Sequence, residues 1–526
     1  MDCTCVRQTE LPGTTRLFAD YLYQPGRLRA FYPRPEHDFD AVLDAAREAA
    51  RLPDDRRAAL VEALRPLNEG SAALEALARP GTVAVVTGQQ VGLFSGPCYT
   101  IYKALTAVKL ARRLSEAGVP AVPVFWLATE DHDFDEVDHA VVFDARQRPV
   151  RLHAGAAPSR NQPAGAVPLA APPTGELREA LSGLPFGAEV ADLAAAAYAP
   201  GRTMGEAFPD LLRRLLPGYD LIHIDPMLPA VRQLAAPLLR AAVENGPELS
   251  SALLARNREL AGAGYHAQVH VEERTSLVFL LEDGRRLGLA RHGAEYTANG
   301  RRFGASELAA RAHQLSPNAL LRPVAQDSML PTAAYVGGPA ELAYLAQSEV
   351  LYRGLLGRMP VAVPRAAFTL LDSRGGKLVA RFGLKLADFF PGEQALRERI
   401  ASRLVPPRVK GALEETRAAV QAAVERLASE VEALDPTVAA ATRKSRSKML
   451  YQLAKTEGKI GRAMMARDDR AAGDAAYLYN LVYPERRLQE RLYSILPFLA
   501  AHGPGLVDEI YERIHLDCPD HQVVTA

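Results

Sequence analysis

Cysteine is scarce in this chain: four residues, Cys3, Cys5, Cys98 and Cys518, among 526. That excludes a disulfide scaffold, and the Cys3-x-Cys5 pair has no second pair to complete a zinc site. Cys98 sits before a helix, where a small residue usually serves packing, so no catalytic thiol is assigned to it. Net charge is also missing, with 62 Lys and Arg against 62 Asp and Glu. A balanced chain gives no support to a nucleic-acid or membrane-surface role. No apolar run approaches the roughly 20 residues of a membrane span. The first ten residues are too polar for a signal peptide, so a cytoplasmic location is expected. Neither GxGxxG nor the GxxxxGK[ST] phosphate loop occurs.

What is present centres on residues 83–139. A buried strand at Val83–Val86 enters the loop TGQQVGLFSGP (87–97), which opens an amphipathic helix. A second apolar run, Ala121–Leu127, delivers the acidic segment EDHDFDEVDH (130–139). Strand, helix, strand predicts a right-handed βαβ unit with both polar segments at the carboxyl ends of parallel strands. Open α/β sheets bind ligands there.

The organisation expected is an α/β fold with eight segments. Residues 1–75 are helical and pack on the core, and 76–148 begin the sheet. Residues 149–215, rich in Ala, Pro and Gly, form an insertion or lid. The sheet resumes over 216–260 with DLIHID. Over 261–315, QVHVEE, SLVFLLEDG and RRLGLA alternate as antiparallel strands, with a hairpin turn at Glu282-Asp283-Gly284. The sheet is completed over 316–390. From 391 to 475, Leu413, Val420, Val424, Leu427, Val431 and Leu434 run at three-four spacing to a turn at Asp435-Pro436. Leu450, Leu453, Ile460 and Met464 return, predicting an antiparallel coiled-coil arm. Residues 476–526 dock back on the body. The basic run Arg443–Lys448 is read first as a solvated face and second as an anion or nucleotide site.

Three loops carry the candidate chemistry. Gly88 and Gly96 allow close backbone approach, Gln89 and Gln90 offer donors and acceptors, and Ser95, Tyr102 and Lys103 flank the helix start. Seven ionisable groups crowd residues 130–138 of the second loop. Asp131 and Asp133 suit an ammonium group or magnesium, Glu130 a substrate contact, and His132 a general base with its pKa raised by the neighbouring carboxylates. The third element brings Asn318, Arg322, Gln326, Asp327, Tyr335, Gly337, Gly338 and Glu341, with Arg322 as a carboxylate clamp. No residue set is assigned to a resident metal. Two readings follow from these residues alone: a metal-dependent hydrolase or deacetylase using 130–139, and a non-catalytic coiled-coil assembly protein.

The blocks VVTGQQVGLFSGPCYTIYKA, VPVFWLATEDHDFDEVDH, SPNALLRPVAQDSMLPTAAYVGGPAELAYL and YPERRLQER resemble the bacillithiol biosynthesis cysteine-adding enzymes, in the family's order along nearly the whole chain. The resemblance implies a Rossmann-like core related to nucleotidyltransferases, two connecting-peptide insertions (149–215 and 261–315) and a coiled coil that makes a homodimer. It implies a cysteine ligase that joins the L-cysteine carboxyl to the amine of glucosaminyl-malate, giving a low-molecular-weight thiol. The HxGH signature of class I synthetases is missing, and KSRSKML (444–450) only echoes their lysine loop. A free carboxylate needs activation before amide formation, most simply as an acyl-adenylate or acyl-phosphate. No ATP loop is recognisable, so the source of activation stays open, with ATP or ADP and magnesium as the candidate cofactors.

Overall fold

The computed structural model describes residues 3–525. The side chain of Cys3, and with it the Cys3–Cys5 pair, lies outside the described residues. Five strands form the central sheet: β1 (Val83–Gln89), β2 (Ala121–Leu127), β3 (Ile222–Ile224), β4 (Thr332–Gly337) and β5 (Val361–Pro364), in the order β5-β4-β1-β2-β3. Every pairing is parallel. The strands are apolar on both faces because helices cover both. One face packs Val83, Val85, Ala334 and Val361 against Val42 and Ala46. The other packs Ala84, Val124 and Ile222 against Leu74 and Leu239.

β1 runs three residues beyond the predicted end because Thr87, Gly88 and Gln89 continue the ladder opposite Phe125, Trp126 and Leu127. Gly88 is required there. A Cβ on it would come within 2.8 Å of the Trp126 carbonyl oxygen and 2.9 Å of the Trp126 Cβ. The loop then turns through left-handed Phe94, Ser95 and Gly96 into helix α1 (Tyr99–Glu116). β4 repeats this arrangement, handing over at Gly338 to helix α3 (Pro339–Leu355), with helix α2 (Arg322–Met329) before it.

Several expectations need correction. The first segment is not all helical: Cys3–Val6 is a strand, paired antiparallel with His521–Thr525, which pairs in turn with Phe368–Leu371. That small sheet joins both ends of the chain, and Phe368–Leu371 belongs to it rather than to the central sheet. His139–Phe143 and Pro149–His153 form one hairpin across the expected boundary at 148. QVHVEE is loop, because the Val269 amide and carbonyl are bonded by the Gln347 side chain and not by a neighbouring strand. The hairpin at Asp283-Gly284 is as expected, with both residues at positive φ.

The arm is an antiparallel pair, α4 (Pro407–Glu432) and α5 (Pro436–Ala466). Its seam is narrower than the spacing suggested. Val424, Ala428 and Ala439 are buried, whereas Leu427 and Leu434 are 56% and 84% exposed. The basic run is partly neutralised within the arm, since Arg443 pairs with Glu425 and Glu432 and Arg446 with Glu425. Among the described residues, no helix is long and apolar enough to cross a membrane.

Two buried histidines set an acid limit on this fold. Burial, then the Arg213 charge, lowers His223 to about 3, and neither ring nitrogen has a hydrogen-bond partner. Burial lowers His521 to about 4. Both are neutral when folded, whereas in the unfolded chain they take a proton below their ordinary 6.5. The unfolded state therefore binds more protons, and stability falls as pH drops from 6.5 toward 4, by up to about 1.4 kcal/mol per pH unit for each group. Urea midpoints should decline from pH 7 to pH 5, and His223→Leu should flatten that decline. An unchanged slope in the variant would contradict the assignment.

Candidate active site

Residues at or just past the carboxyl ends of β1, β2, β4 and β5 converge on one cavity of about 580 Å³. Gly88, Gln89 and Gln90 come from the first loop, Glu130 and Asp131 from the second, Gly338 and Glu341 from the third, and Arg365 follows β5. Asn318, Arg322 and Tyr335 close the side formed by α2 and β4.

Lys103 is buried at the floor. Its Nζ donates to the Gly88 carbonyl (3.0 Å) and to Gln89 Oε1 (2.9 Å), and pairs with Glu341 at 2.5 Å. Glu341 also accepts from the Tyr335 hydroxyl (2.6 Å) and the Gly338 amide (2.9 Å). Burial alone would raise its pKa, but Lys103 and these donors outweigh burial and hold it below the usual carboxylate range.

Arg322 is different. Its guanidinium donates to Gln326 Oε1 (3.0 Å) and contacts the hydroxyls of Tyr335 (3.2 Å) and Tyr344 (3.1 Å), none of them a carboxylate. A half-buried guanidinium held by neutral partners keeps its charge available to an incoming anion. Gln326 and Asp327 lie behind it, outside the cavity. Gln326 donates to Asp327 at 2.9 Å, and Tyr352 donates to the other Asp327 oxygen. Asn318 faces the cavity but spends its oxygen capping the amides of Leu320 and Leu321 at 3.0 Å.

The acidic segment is less of a cluster than its sequence implies. Glu130 is only 4% exposed and lines the cavity, and burial raises its pKa despite nearby Arg286. Asp131 accepts from Gln90 (2.9 Å) and lies 3.5 Å from Arg286. Asp133 is exposed, and Glu136 turns out to Gln90 (2.7 Å). The described residues contain no group of three His, Cys, Asp or Glu side chains placed to hold a metal ion.

The pKa expectation for His132 is reversed. Burial and then the Arg286 guanidinium lower it, outweighing Asp131 and Asp133. Arg286 Nη1 stands 3.3 Å from His132 Nδ1, and the ring meets Phe279 edge-on outside the cavity lining. Of the three catalytic candidates only Asp131 lines the cavity. Ser95 is buried within its turn, and Tyr102 packs on Phe368 in the core. Gly96 and Gly337 line neighbouring cavities.

Among the lining residues that escaped the sequence reading are Tyr99, Trp126, Arg286, Tyr344, Arg365 and Arg491. Arg365 had a readable signal, standing directly after β5 as the other site loops do after their strands. Arg286 reaches the cavity from the antiparallel insertion, stacked 3.9 Å over Phe279 and bonded to Ser316 (2.9 Å) and the Pro317 carbonyl (2.7 Å). Arg365 is fixed by both oxygens of buried Glu490, at 2.9 and 2.7 Å. The site is therefore completed by the C-terminal segment that follows the coiled coil.

Together these features define a Rossmann-like protein with a mixed-charge, small-molecule cavity at its strand ends and a coiled-coil half that closes it. Residues 1–366 match the family model for bacillithiol biosynthesis BshC, N-terminal Rossmann-like domain, and 368–526 match the BshC C-terminal coiled-coil domain. The chain belongs to the bacillithiol biosynthesis BshC family. A relative from Solibacter usitatus, named "Putative cysteine ligase BshC", is 60% identical over 526 residues and all of both chains. Relatives with the same name from Koribacter versatilis (38%, 99% of each chain) and Salinibacter ruber (34%, 97% of this chain and 96% of that one) extend the match.

Proposed function

We propose that this chain is a cytoplasmic ligase that forms an amide between the carboxyl of L-cysteine and the amine of glucosaminyl-malate. The observation that carries the reading is the pairing, in one cavity, of a guanidinium without a carboxylate partner (Arg322) and a buried carboxylate of raised pKa (Glu130). An amino-sugar malate has the complementary groups, carboxylates for Arg322 and an amine for Glu130 and Asp131. Lys103 is the weaker anion clamp because Glu341 already neutralises it.

The cysteine carboxylate first displaces a leaving group from the phosphorus of a nucleoside triphosphate, giving an acyl-phosphate or acyl-adenylate. The sugar amine then attacks the acyl carbon, the phosphate-bearing group departs, and Glu130 takes the amine proton. Glu130 lines the cavity and burial raises its pKa, whereas His132 lies outside the lining with its Nδ1 facing Arg286. Magnesium would arrive with the nucleotide phosphates. Exposed Leu427, Leu434 and Val438 on the arm support pairing with a second copy. The reading is tested by incubating the full chain with L-cysteine, glucosaminyl-malate, ATP and magnesium. The condensed thiol should appear by mass spectrometry, and its absence with every activating co-substrate would sink the proposal.

A further inference from the structure

Two further cavities adjoin the first, of about 480 and 500 Å³. Tyr99 and Arg491 line all three, so they stand at the junction. The third cavity is the more one-sided in charge. Arg365, Arg486, Arg487 and Arg491 line it against a single carboxylate, Glu490, and that carboxylate is occupied by Arg365. Among the described residues, none of Arg486, Arg487 and Arg491 has a carboxylate within ion-pair distance; the nearest in sequence, Glu485, is turned to Arg151 at 2.8 Å.

The backbone that carries Arg491 is built firmly. Gln489 is fully buried, and its side chain bonds the Leu370 amide (2.7 Å), the Leu370 carbonyl (2.8 Å) and the Leu481 carbonyl (2.7 Å). Glu490 clamps Arg365 and accepts from the Phe368 amide at 3.1 Å. Two consecutive anchored residues thus hold the third at the junction.

We infer that Arg491, with Arg487, binds the phosphate groups of a co-substrate in the third cavity and presents its reacting phosphorus to the first past Tyr99. Three uncompensated guanidiniums suit a multiply charged phosphate chain better than a lone carboxylate, and forked donors match its oxygens. The inference rests on the ligase reading, which calls for an activating phosphate, but its test is separate.

Inorganic pyrophosphate is the probe, with L-malate as the parallel arm, each titrated calorimetrically into the full-length protein. Wild type should bind pyrophosphate, and Arg491→Gln should weaken that binding tenfold or more. Arg487→Gln, outside the first cavity, should also weaken it while leaving malate binding within twofold. Arg491→Lys should recover only part of the loss. Thermal midpoints confirm that the variants are folded. Pyrophosphate binding that is absent from wild type, or unchanged in Arg491→Gln, would overturn the inference. So would an equal loss of malate and pyrophosphate in Arg487→Gln. If the pyrophosphate result is as expected but wild type forms no amide, the ligase reading fails and the phosphate site stands.

Discussion

Arg322→Met should lower kcat/KM for the malate-bearing substrate by on the order of 10²- to 10³-fold, while the protein stays folded. The guanidinium is half-buried, and its hydrogen-bond partners are two tyrosine hydroxyls and a glutamine. Truncating one partner of a desolvated charge pair costs about 2–5 kcal/mol, and each 1.4 kcal/mol is tenfold. The loss should appear mainly in KM if Arg322 holds the ground-state carboxylate, and equally in kcat if it acts on the transition state. Arg322→Lys should recover charge but not the forked geometry, leaving an intermediate value. Wild-type kinetics in Arg322→Met would remove the assigned role.

The second large effect concerns stability. Glu490→Gln should destabilise the fold by about 3–5 kcal/mol, because it leaves the buried Arg365 guanidinium without its counter-charge. Side-chain exposures are 5% for Arg365 and 3% for Glu490, so water cannot replace the lost carboxylate. Burial alone would raise the Glu490 pKa, but Arg365 outweighs it and holds the group ionised. Replacing both residues with methionine should recover much of the loss, since a buried ion pair and a packed apolar pair can be close in stability. Urea unfolding reads both variants. A Glu490→Gln loss below about 1 kcal/mol would mean that the pair is solvated and does not bind the two halves of the chain together.

The parallel core was legible because its signals are local: apolar runs of strand length, glycine loops and helix starts in repeating order. The same logic found Gly88, Gln89, Glu130, Arg322 and Glu341, which follow strand ends or lie beside them. It failed where contacts are distant in sequence. Arg365 and Glu490 are separated by 125 residues, and no period or motif announces such a pair. Arg286 was hidden within ordinary strand alternation. His132 misled for a related reason: its sequence neighbours are carboxylates, but its spatial neighbour is an arginine. The small sheet made from Cys3–Val6, Phe368–Leu371 and His521–Thr525 was likewise invisible, because each strand is short and finds its partner far along the chain.

The central claim, that a free cysteine carboxylate is activated by phosphate and passed to an amine in this cavity, is tested most directly by isotope transfer. The ligase reaction is run with both carboxylate oxygens of L-cysteine labelled with ¹⁸O, and all products are weighed by mass spectrometry. The account predicts one labelled oxygen retained in the amide and the other in the released phosphate or nucleoside monophosphate. Amide formed with no label in any phosphate-bearing product would contradict it.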